Sequence, residues 1–98
     1  MEIIHLENEK DFVELIKEDK ILIDFFATWC GPCKMLSPIL EKVESNLKVV
    51  KVDVDEFEDL AREYGVMSIP TLVVLENGKE VNRHICFIDK NDLESFLK

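Results

Sequence analysis

Residues 21–34 read ILIDFFATWCGPCK, in which a nearly apolar stretch is followed by two cysteines separated by a Gly-Pro pair. The stretch Ile21 to Phe26 is apolar on both faces, which is typical of a central strand covered by helices on either side. Beyond the cysteines, apolar residues follow the i, i+3, i+4, i+7 spacing of a helix facing a core, at Leu36, Ile39, Leu40, Val43 and Leu47. The cysteine pair therefore lies where a strand gives way to a helix.

The rest of the chain alternates strands and helices in the same way. Further strands are predicted at Ile3–Leu6, Val49–Val54, Thr71–Glu76 and Glu80–Ile85, the last two joined through Asn77-Gly78-Lys79 as a hairpin. Further helices are predicted from Asn8 to near Glu18–Lys20, over Phe57–Tyr64 before Gly65, and after Asp89. The first of these carries an apolar stripe at Phe12, Val13, Leu15 and Ile16. Pro38 is expected to kink the helix that follows the cysteines.

The order βαβαβαββα predicts an α/β fold, with a central mixed five-stranded sheet flanked by four helices. No repeat or flexible linker interrupts the chain, and we expect residues 1–98 to form one domain.

Charge limits the classes of partner. The 98 residues include 12 Lys+Arg and 21 Asp+Glu, a formal net charge of −9. Such a field repels phosphate groups, so neither nucleic acid nor an anionic membrane surface is expected as a partner. No run approaches the roughly twenty apolar residues of a membrane span, and the first residues do not resemble a signal peptide. We expect a cytoplasmic protein.

A C-x-x-C pair can hold zinc, join an iron–sulfur cluster or cycle between dithiol and disulfide. Only a thiolate attacks a disulfide, and a free cysteine with a pKa of about 8.5 is mostly protonated at neutral pH. Cys30 precedes the helix, where the helix dipole and unpaired N–H groups stabilise an anion, and Lys34 adds a positive charge. Cys33 lies one turn further, closer to the core. The pattern predicts Cys30 as the attacking thiol and Cys33 as the resolving thiol.

The neighbours of the cysteines fit this chemistry. Pro32 suits the first helical turn, and Gly31 leaves the approach of a substrate open. Trp29 offers a flat surface for a substrate chain, or else it is simply packed against the protein. If the bond before Pro70 is cis, the backbone of Ile69 is free to pair with a substrate segment.

Asp24 is a lone carboxyl group within the apolar strand. Burial penalises the charged form and raises the pKa of a carboxyl group. Asp24 is therefore either a hydrogen-bonded structural group or the proton acceptor for Cys33, directly or through one water.

Together these residues resemble the thioredoxin family over essentially the whole chain. The residues that carry the resemblance are Asp24 to Lys34, Pro38, Lys51-Val52-Asp53-Val54-Asp55, Ile69-Pro70-Thr71 and Asn77-Gly78. The resemblance implies the thioredoxin fold and a protein disulfide reductase. It also implies that Lys51 neighbours Asp24 in the catalytic site and that the bond before Pro70 is cis.

The same resemblance implies how electrons arrive. No cofactor would be bound, and electrons would come from NADPH through a flavoprotein thioredoxin reductase. Protein disulfides would be the substrates of a monomer.

Two positions depart from the family pattern. Phe26 stands where many members carry a second tryptophan, a change that concerns packing more than chemistry. Cys86 aligns with a family glycine beside the substrate groove, so its side chain is expected to narrow that groove. Cys86 is either a small buried hydrophobic residue or an accessible thiol that links dimers on oxidation.

Two other functions compete with redox catalysis. Cys30 and Cys33 could join His84 and Cys86 in a zinc site, although Gly-Pro and a buried Asp24 serve no such purpose. Alternatively, the groove around Trp29, Ile69 and Pro70 could hold a partner without any redox chemistry.

Overall fold

The computed structural model describes residues 1–98 as five strands and four helices. In chain order these are β1 (Glu2–His5), α1 (Glu9–Leu15), β2 (Lys20–Phe26), α2 (Gly31–Lys42), β3 (Lys48–Asp53), α3 (Glu58–Glu63), β4 (Thr71–Glu76), β5 (Lys79–Ile85) and α4 (Lys90–Phe96). This order and the mixed sheet confirm the predicted fold class. None of the helices is long and apolar enough to span a bilayer.

The sheet has the strand order β1-β3-β2-β4-β5. The central strand β2 is parallel to β3 and antiparallel to β4. At the outer positions β1 runs parallel to β3, and β5 runs antiparallel to β4. This register places Asp24 directly between Lys51 on β3 and Leu72 on β4.

Helices cover both faces of the sheet, as the apolar character of β2 predicts. One core cluster joins sheet residues such as Ile23 to α1 and α3, through Phe12 and Leu60. The other joins Leu22 to α2 and α4, through Leu36, Leu40 and Leu93. Because side chains alternate along a strand, Asp24 shares the face of Leu22 and lies beneath α2.

The predicted helix caps and the predicted hairpin turn are present in the structure. The Asn8 side chain accepts a hydrogen bond from the Asp11 N–H at 2.9 Å, and the Asp89 side chain accepts from the Asp92 N–H at 2.8 Å. Asn77 and Gly78 both have positive φ, at 53° and 81°, and form a two-residue hairpin turn.

Several element ends differ from the prediction by one or more residues. Helix α1 ends at Leu15, because Lys17 and Glu18 donate tighter i to i−3 hydrogen bonds to Glu14 and Leu15 before β2 begins. Strand β1 begins at Glu2 and leaves out Leu6, β3 lies one residue earlier, and Lys79 belongs to β5. Val13, predicted on the apolar stripe of α1, is 55% exposed.

Helix α2 carries the cysteine pair at its start and continues through Pro38 to Lys42, so the predicted apolar stripe was too long, and Val43 and Leu47 lie beyond the helix. Proline lacks the N–H that would bond to the carbonyl of Lys34. Leu36 and Leu40 on either side of it are fully buried, so packing holds this helix together across the missing hydrogen bond.

Candidate functional site

The cysteine pair occupies the first turn of α2. Cys30 is the N-cap residue, and it is joined by a disulfide to Cys33, with 5.2 Å between the two Cα atoms. The backbone N–H of Cys33 donates a hydrogen bond to the Cys30 sulfur at 3.2 Å. A free N–H at the start of a helix therefore points at the Cys30 sulfur, and the same donor would stabilise a thiolate there.

Both cysteines lie beneath the surface. Cys30 is 4% exposed and Cys33 is 3% exposed, whereas Gly31 and Pro32 between them are exposed. In the disulfide form the two cysteine residues are therefore almost equally buried, although Cys33 was expected to lie deeper. What distinguishes them is position, because Cys30 receives the hydrogen bond that Cys33 donates. Lys34 is exposed, and its backbone N–H donates to the Cys30 carbonyl at 3.1 Å.

Asp24 is fully buried, and neither of its carboxylate oxygens has a hydrogen-bond partner. Burial raises the pKa of Asp24 to about 6, and attraction to Lys51 offsets part of that rise. The Lys51 Nζ atom lies 3.8 Å from Asp24 Oδ2, which is beyond hydrogen-bond distance. At this distance Lys51 lowers the pKa of Asp24 chiefly through its charge, and the long contact between the two groups adds a smaller lowering.

The Lys51 side chain is itself buried beneath α2. Its Nζ atom donates a hydrogen bond to the Ser37 Oγ atom at 2.7 Å and lies 4.7 Å from the centre of the Phe26 ring. The Ser37 hydroxyl donates to the Cys33 carbonyl at 3.4 Å. Ser37 thus links the lysine beside Asp24 to the backbone of Cys33.

A groove borders the cysteines on the side of Trp29. This groove has a volume of about 260 Å³ and is lined by Trp29, Val54, Val66, Met67, Ser68 and Ile69. Trp29 is 68% exposed, so most of its side chain is open to solvent and is not covered by the rest of the protein. Its indole N–H donates to the Asp55 carboxylate at 2.7 Å, which holds the ring in place while its face stays open to solvent.

The Ile69–Pro70 bond is cis, the isomer that the resemblance implies. Cys86 lies beside this bond, since its backbone N–H donates to the Pro70 carbonyl at 2.9 Å. Cys86 is exposed and has a φ of 85°. The alternative of a small buried hydrophobic residue is wrong for Cys86, because the residue is exposed just beyond the end of the edge strand β5. The positive φ also explains why a glycine suits this position.

The four residues of the alternative zinc site do not form a metal-binding cluster. Cys30 and Cys33 are bonded to each other, and His84 contacts the Phe87 carbonyl and the Phe96 ring. No group of three or more His, Cys, Asp or Glu side chains is arranged to hold a metal ion.

Sequence reasoning assigned no role to two residues of this site. Ser37 lies four residues after Cys33, so helical spacing could have placed it one turn away on the same face. Asp55 lies within the segment that carries the resemblance, yet only the tertiary structure brings it to Trp29.

Two cysteines that close into a disulfide across one helical turn can exchange electrons with other disulfides, and this defines the class of thiol–disulfide oxidoreductases. Comparison with known proteins identifies the family within that class. The family model described as Thioredoxin matches residues 2–98, and on this evidence the chain belongs to the thioredoxin family.

Individual relatives agree with this assignment. The chain is 42% identical to the thioredoxin of Mycoplasmoides gallisepticum, over 96% of this chain and 98% of that protein. It superimposes on a mutant thioredoxin from Halobacterium salinarum with a TM-score of 0.89 and 35% identity, covering 99% of this chain and 92% of that one. The chain also resembles a protein chain in a structure titled "Structural basis of the thiol resolving mechanism in yeast mitochondrial 1-Cys peroxiredoxin via glutathione/thioredoxin systems". The TM-score is 0.83 and the identity 37%, covering 97% of this chain and 93% of that one.

Membership settles the type of activity. Thioredoxins are thiol–disulfide oxidoreductases that use their own cysteine pair and need no bound cofactor, and this chain carries the pair at Cys30 and Cys33. The alternative of a binding subunit without redox chemistry is not favoured.

Proposed function

We propose that the chain reduces protein disulfides, with Cys30 as the nucleophile. The observation that carries this assignment is the hydrogen bond from the Cys33 N–H to the Cys30 sulfur at the start of α2. A thiolate at this position is stabilised by the N–H group and by the helix dipole, so it forms more readily than at a cysteine without such donors. Cys33 lies within the helix, where no equivalent donor is directed at its sulfur.

The first step forms a mixed disulfide. The Cys30 thiolate attacks one sulfur of the substrate disulfide, a bond forms between these two sulfurs, and the substrate S–S bond breaks. The departing substrate sulfur leaves with the bonding electron pair as a thiolate and takes a proton from water.

The second step resolves the mixed disulfide. The Cys33 thiol gives its proton to the Asp24 carboxylate, directly or through one water, and the resulting thiolate attacks the Cys30 sulfur. The bond to the substrate breaks, and the second substrate sulfur leaves as a thiolate that is then protonated. In total the cysteine pair gives two electrons to the substrate and ends as the Cys30–Cys33 disulfide. Asp24 suits this role because burial raises its pKa to about 6, and Lys51 limits that rise.

The surface beside the disulfide binds the substrate chain. Gly31 and Pro32 are exposed over the cysteines, and Trp29 presents its open ring face. An extended substrate segment pairs with the backbone of Ile69, which precedes the cis bond to Pro70, in the manner of an added strand. Cys86 borders this segment and narrows the approach, because it places a side chain next to Pro70.

Electrons return to the cysteine pair from NADPH through a flavoprotein thioredoxin reductase, which supplies two electrons and two protons in each cycle. Substrates are protein disulfides, and the similar chain from the yeast peroxiredoxin and thioredoxin system illustrates this kind of partner. We place residues 1–98, as a single monomeric domain, in the cytoplasm, where a free thiol such as Cys86 persists.

A trapping experiment tests the order of attack. In a Cys86→Ser background, the added Cys33→Ser variant should retain insulin on Cys30 as a mixed disulfide, because the resolving thiol is missing. The mass of the adduct is measured under non-reducing conditions, with Cys30→Ser in the same background as the control. An adduct on Cys33 in the control variant, with none on Cys30, would reverse the roles.

A further inference from the structure

Ser37 makes the only hydrogen bond of the buried Lys51 ammonium group, with 2.7 Å between Oγ and Nζ. An ammonium group only donates, and a backbone carbonyl only accepts. The Ser37 hydroxyl proton is therefore directed to the Cys33 carbonyl at 3.4 Å, and its oxygen lone pair is directed to Lys51. A single orientation of the Ser37 hydroxyl therefore satisfies both Lys51 and the Cys33 carbonyl, and it anchors the lysine to helix α2.

The position of the Lys51 ammonium group needs an explanation, because the Asp24 carboxylate is a stronger hydrogen-bond acceptor than the Ser37 hydroxyl that it contacts. A carboxylate attracts an ammonium group more strongly than a hydroxyl does. Yet Nζ lies 3.8 Å from Asp24 Oδ2, and both carboxylate oxygens are without a hydrogen bond. A movement of about 1 Å would bring the ammonium group into hydrogen-bond distance.

We propose that Ser37 is a positioning residue of the redox site, which holds the Lys51 ammonium group beyond hydrogen-bond distance from Asp24. Helix α2 thus sets the spacing of a charge pair that belongs to the neighbouring strands β2 and β3.

This spacing determines how strong a base Asp24 is. A hydrogen bond from Lys51 would stabilise the carboxylate and lower the pKa of Asp24. A weaker base takes a proton from Cys33 less readily, so the second step of the reaction would slow. The slowing of the second step rests on the proposed role of Asp24 as proton acceptor, whereas the spacing between Lys51 and Asp24 is a property of the fold.

Few other charged groups face the pair. His5 of β1 and Glu41 of α2 line a pocket of about 160 Å³ together with Ser37 and Lys51. Strand β4 places Leu72 opposite Asp24, and the Cys33 thiol on α2 titrates only in the reduced protein. In the oxidised protein, Lys51 is therefore the charged group near Asp24 whose position depends on its hydrogen bond to Ser37.

Titration of the Asp24 carboxyl group tests the proposal. The ¹³C carboxyl shift of Asp24 is followed by NMR against pH in the oxidised full chain, in which Cys30 and Cys33 do not titrate. The wild-type midpoint is expected at about 6. In Ser37→Ala, which removes the hydroxyl and keeps the helix, the midpoint should move down by about one pH unit, since an opposite charge that closes on a carboxylate lowers its pKa by about that much or more. Ser37→Thr keeps a hydroxyl and should restore the wild-type midpoint.

Variants at Lys51 show whether Ser37 acts through the lysine. Lys51→Met should raise the midpoint, and adding Ser37→Ala to it should cause no further change. Ser45→Ala, which removes a surface hydroxyl that accepts from Leu47, is the matched control and should leave the midpoint unchanged. A Ser37→Ala midpoint that is unchanged or higher, or one that shifts equally without Lys51, overturns the proposal. The titration does not require Asp24 to accept the Cys33 proton, so failure of the insulin-trapping experiment would leave this result intact.

Discussion

Asp24 is a carboxyl group that the fold removes from water without supplying a hydrogen bond. Burial raises the pKa of Asp24 from 3.8 to about 6. Below pH 3.8 the group is protonated in both the folded and the unfolded state. As pH rises, the unfolded chain loses this proton first, and the folded chain loses it only near pH 6. Over this window the free energy of unfolding falls by about 3 kcal/mol on account of Asp24.

Replacing Asp24 by leucine should stabilise the protein near neutral pH and slow the resolution of mixed disulfides. The expected rise in the free energy of unfolding at pH 7.5 is about 1–3 kcal/mol, since an apolar side chain has no charge to desolvate. Lys51 loses its counter-charge in this variant but keeps Ser37, which limits the gain. Urea denaturation of the oxidised protein between pH 4 and pH 8 measures the effect.

A surface carboxylate provides the control for this change. Asp59, which is exposed and pairs with Arg62, should alter stability by no more than about 0.5 kcal/mol when replaced by leucine. If Asp24→Leu is less stable than the wild type at pH 7.5, desolvation of the carboxylate is not its dominant energetic effect.

At the scale of the element, the hairpin between β4 and β5 depends on two residues with positive φ. Gly78 has a φ of 81°, a conformation in which a side chain is strained. A Cβ atom at this position would lie 3.6 Å from the Ile16 carbonyl oxygen, which is ordinary contact. Any cost of adding a side chain at Gly78 therefore comes from backbone conformation and not from collision.

Gly78→Ala should accordingly destabilise the protein by about 1–2 kcal/mol. Gly31→Ala is the matched control for stability, because a Cβ there meets nothing within 4 Å and no positive φ is needed. Alanine is favoured over glycine within a helix, so Gly31→Ala should leave the free energy of unfolding unchanged or raise it slightly. Thermal unfolding of both variants measures the difference, and an equal loss in both would contradict the role of the turn.

At the scale of the whole molecule, the net charge opposes association of two copies of the chain, whereas the exposed Cys86 allows them to be linked. A net charge of −9 on 98 residues makes copies of the chain repel one another. An exposed thiol that has no partner within the chain can nevertheless form a disulfide with a second copy. Association of two copies should therefore depend on oxidation.

Treatment with a mild oxidant should convert part of the protein to a covalent dimer of about twice 11.4 kDa. The yield should rise with salt, because screening weakens the repulsion between the two chains. Mass spectrometry under non-reducing conditions measures the dimer, with Cys86→Ser as the control. Dimers that form equally well in Cys86→Ser would assign the link to Cys30 or Cys33 instead.

Most of the fold could be predicted because its signals are local. The order of strands and helices, the Asn8 and Asp89 caps and the Asn77-Gly78 turn follow from residues close together in the chain. The C-terminal end of α1 and the exposure of Val13 could not be predicted, since they depend on how the chain turns into β2 and on which face neighbouring elements cover.

The sequence by itself determined the family, the cysteine pair at the start of a helix and a carboxyl group within an apolar strand. The family resemblance implied that Lys51 neighbours Asp24, but only the tertiary structure decided the spacing of the two groups and the contact of Lys51 with Ser37. Lys51 reaches Asp24 through the pairing of β2 with β3, and Ser37 reaches Lys51 because α2 crosses above them. Exposure of Cys86 likewise follows from its place beyond an edge strand. Such contacts join residues far apart in the chain, and no local pattern encodes distances of this kind.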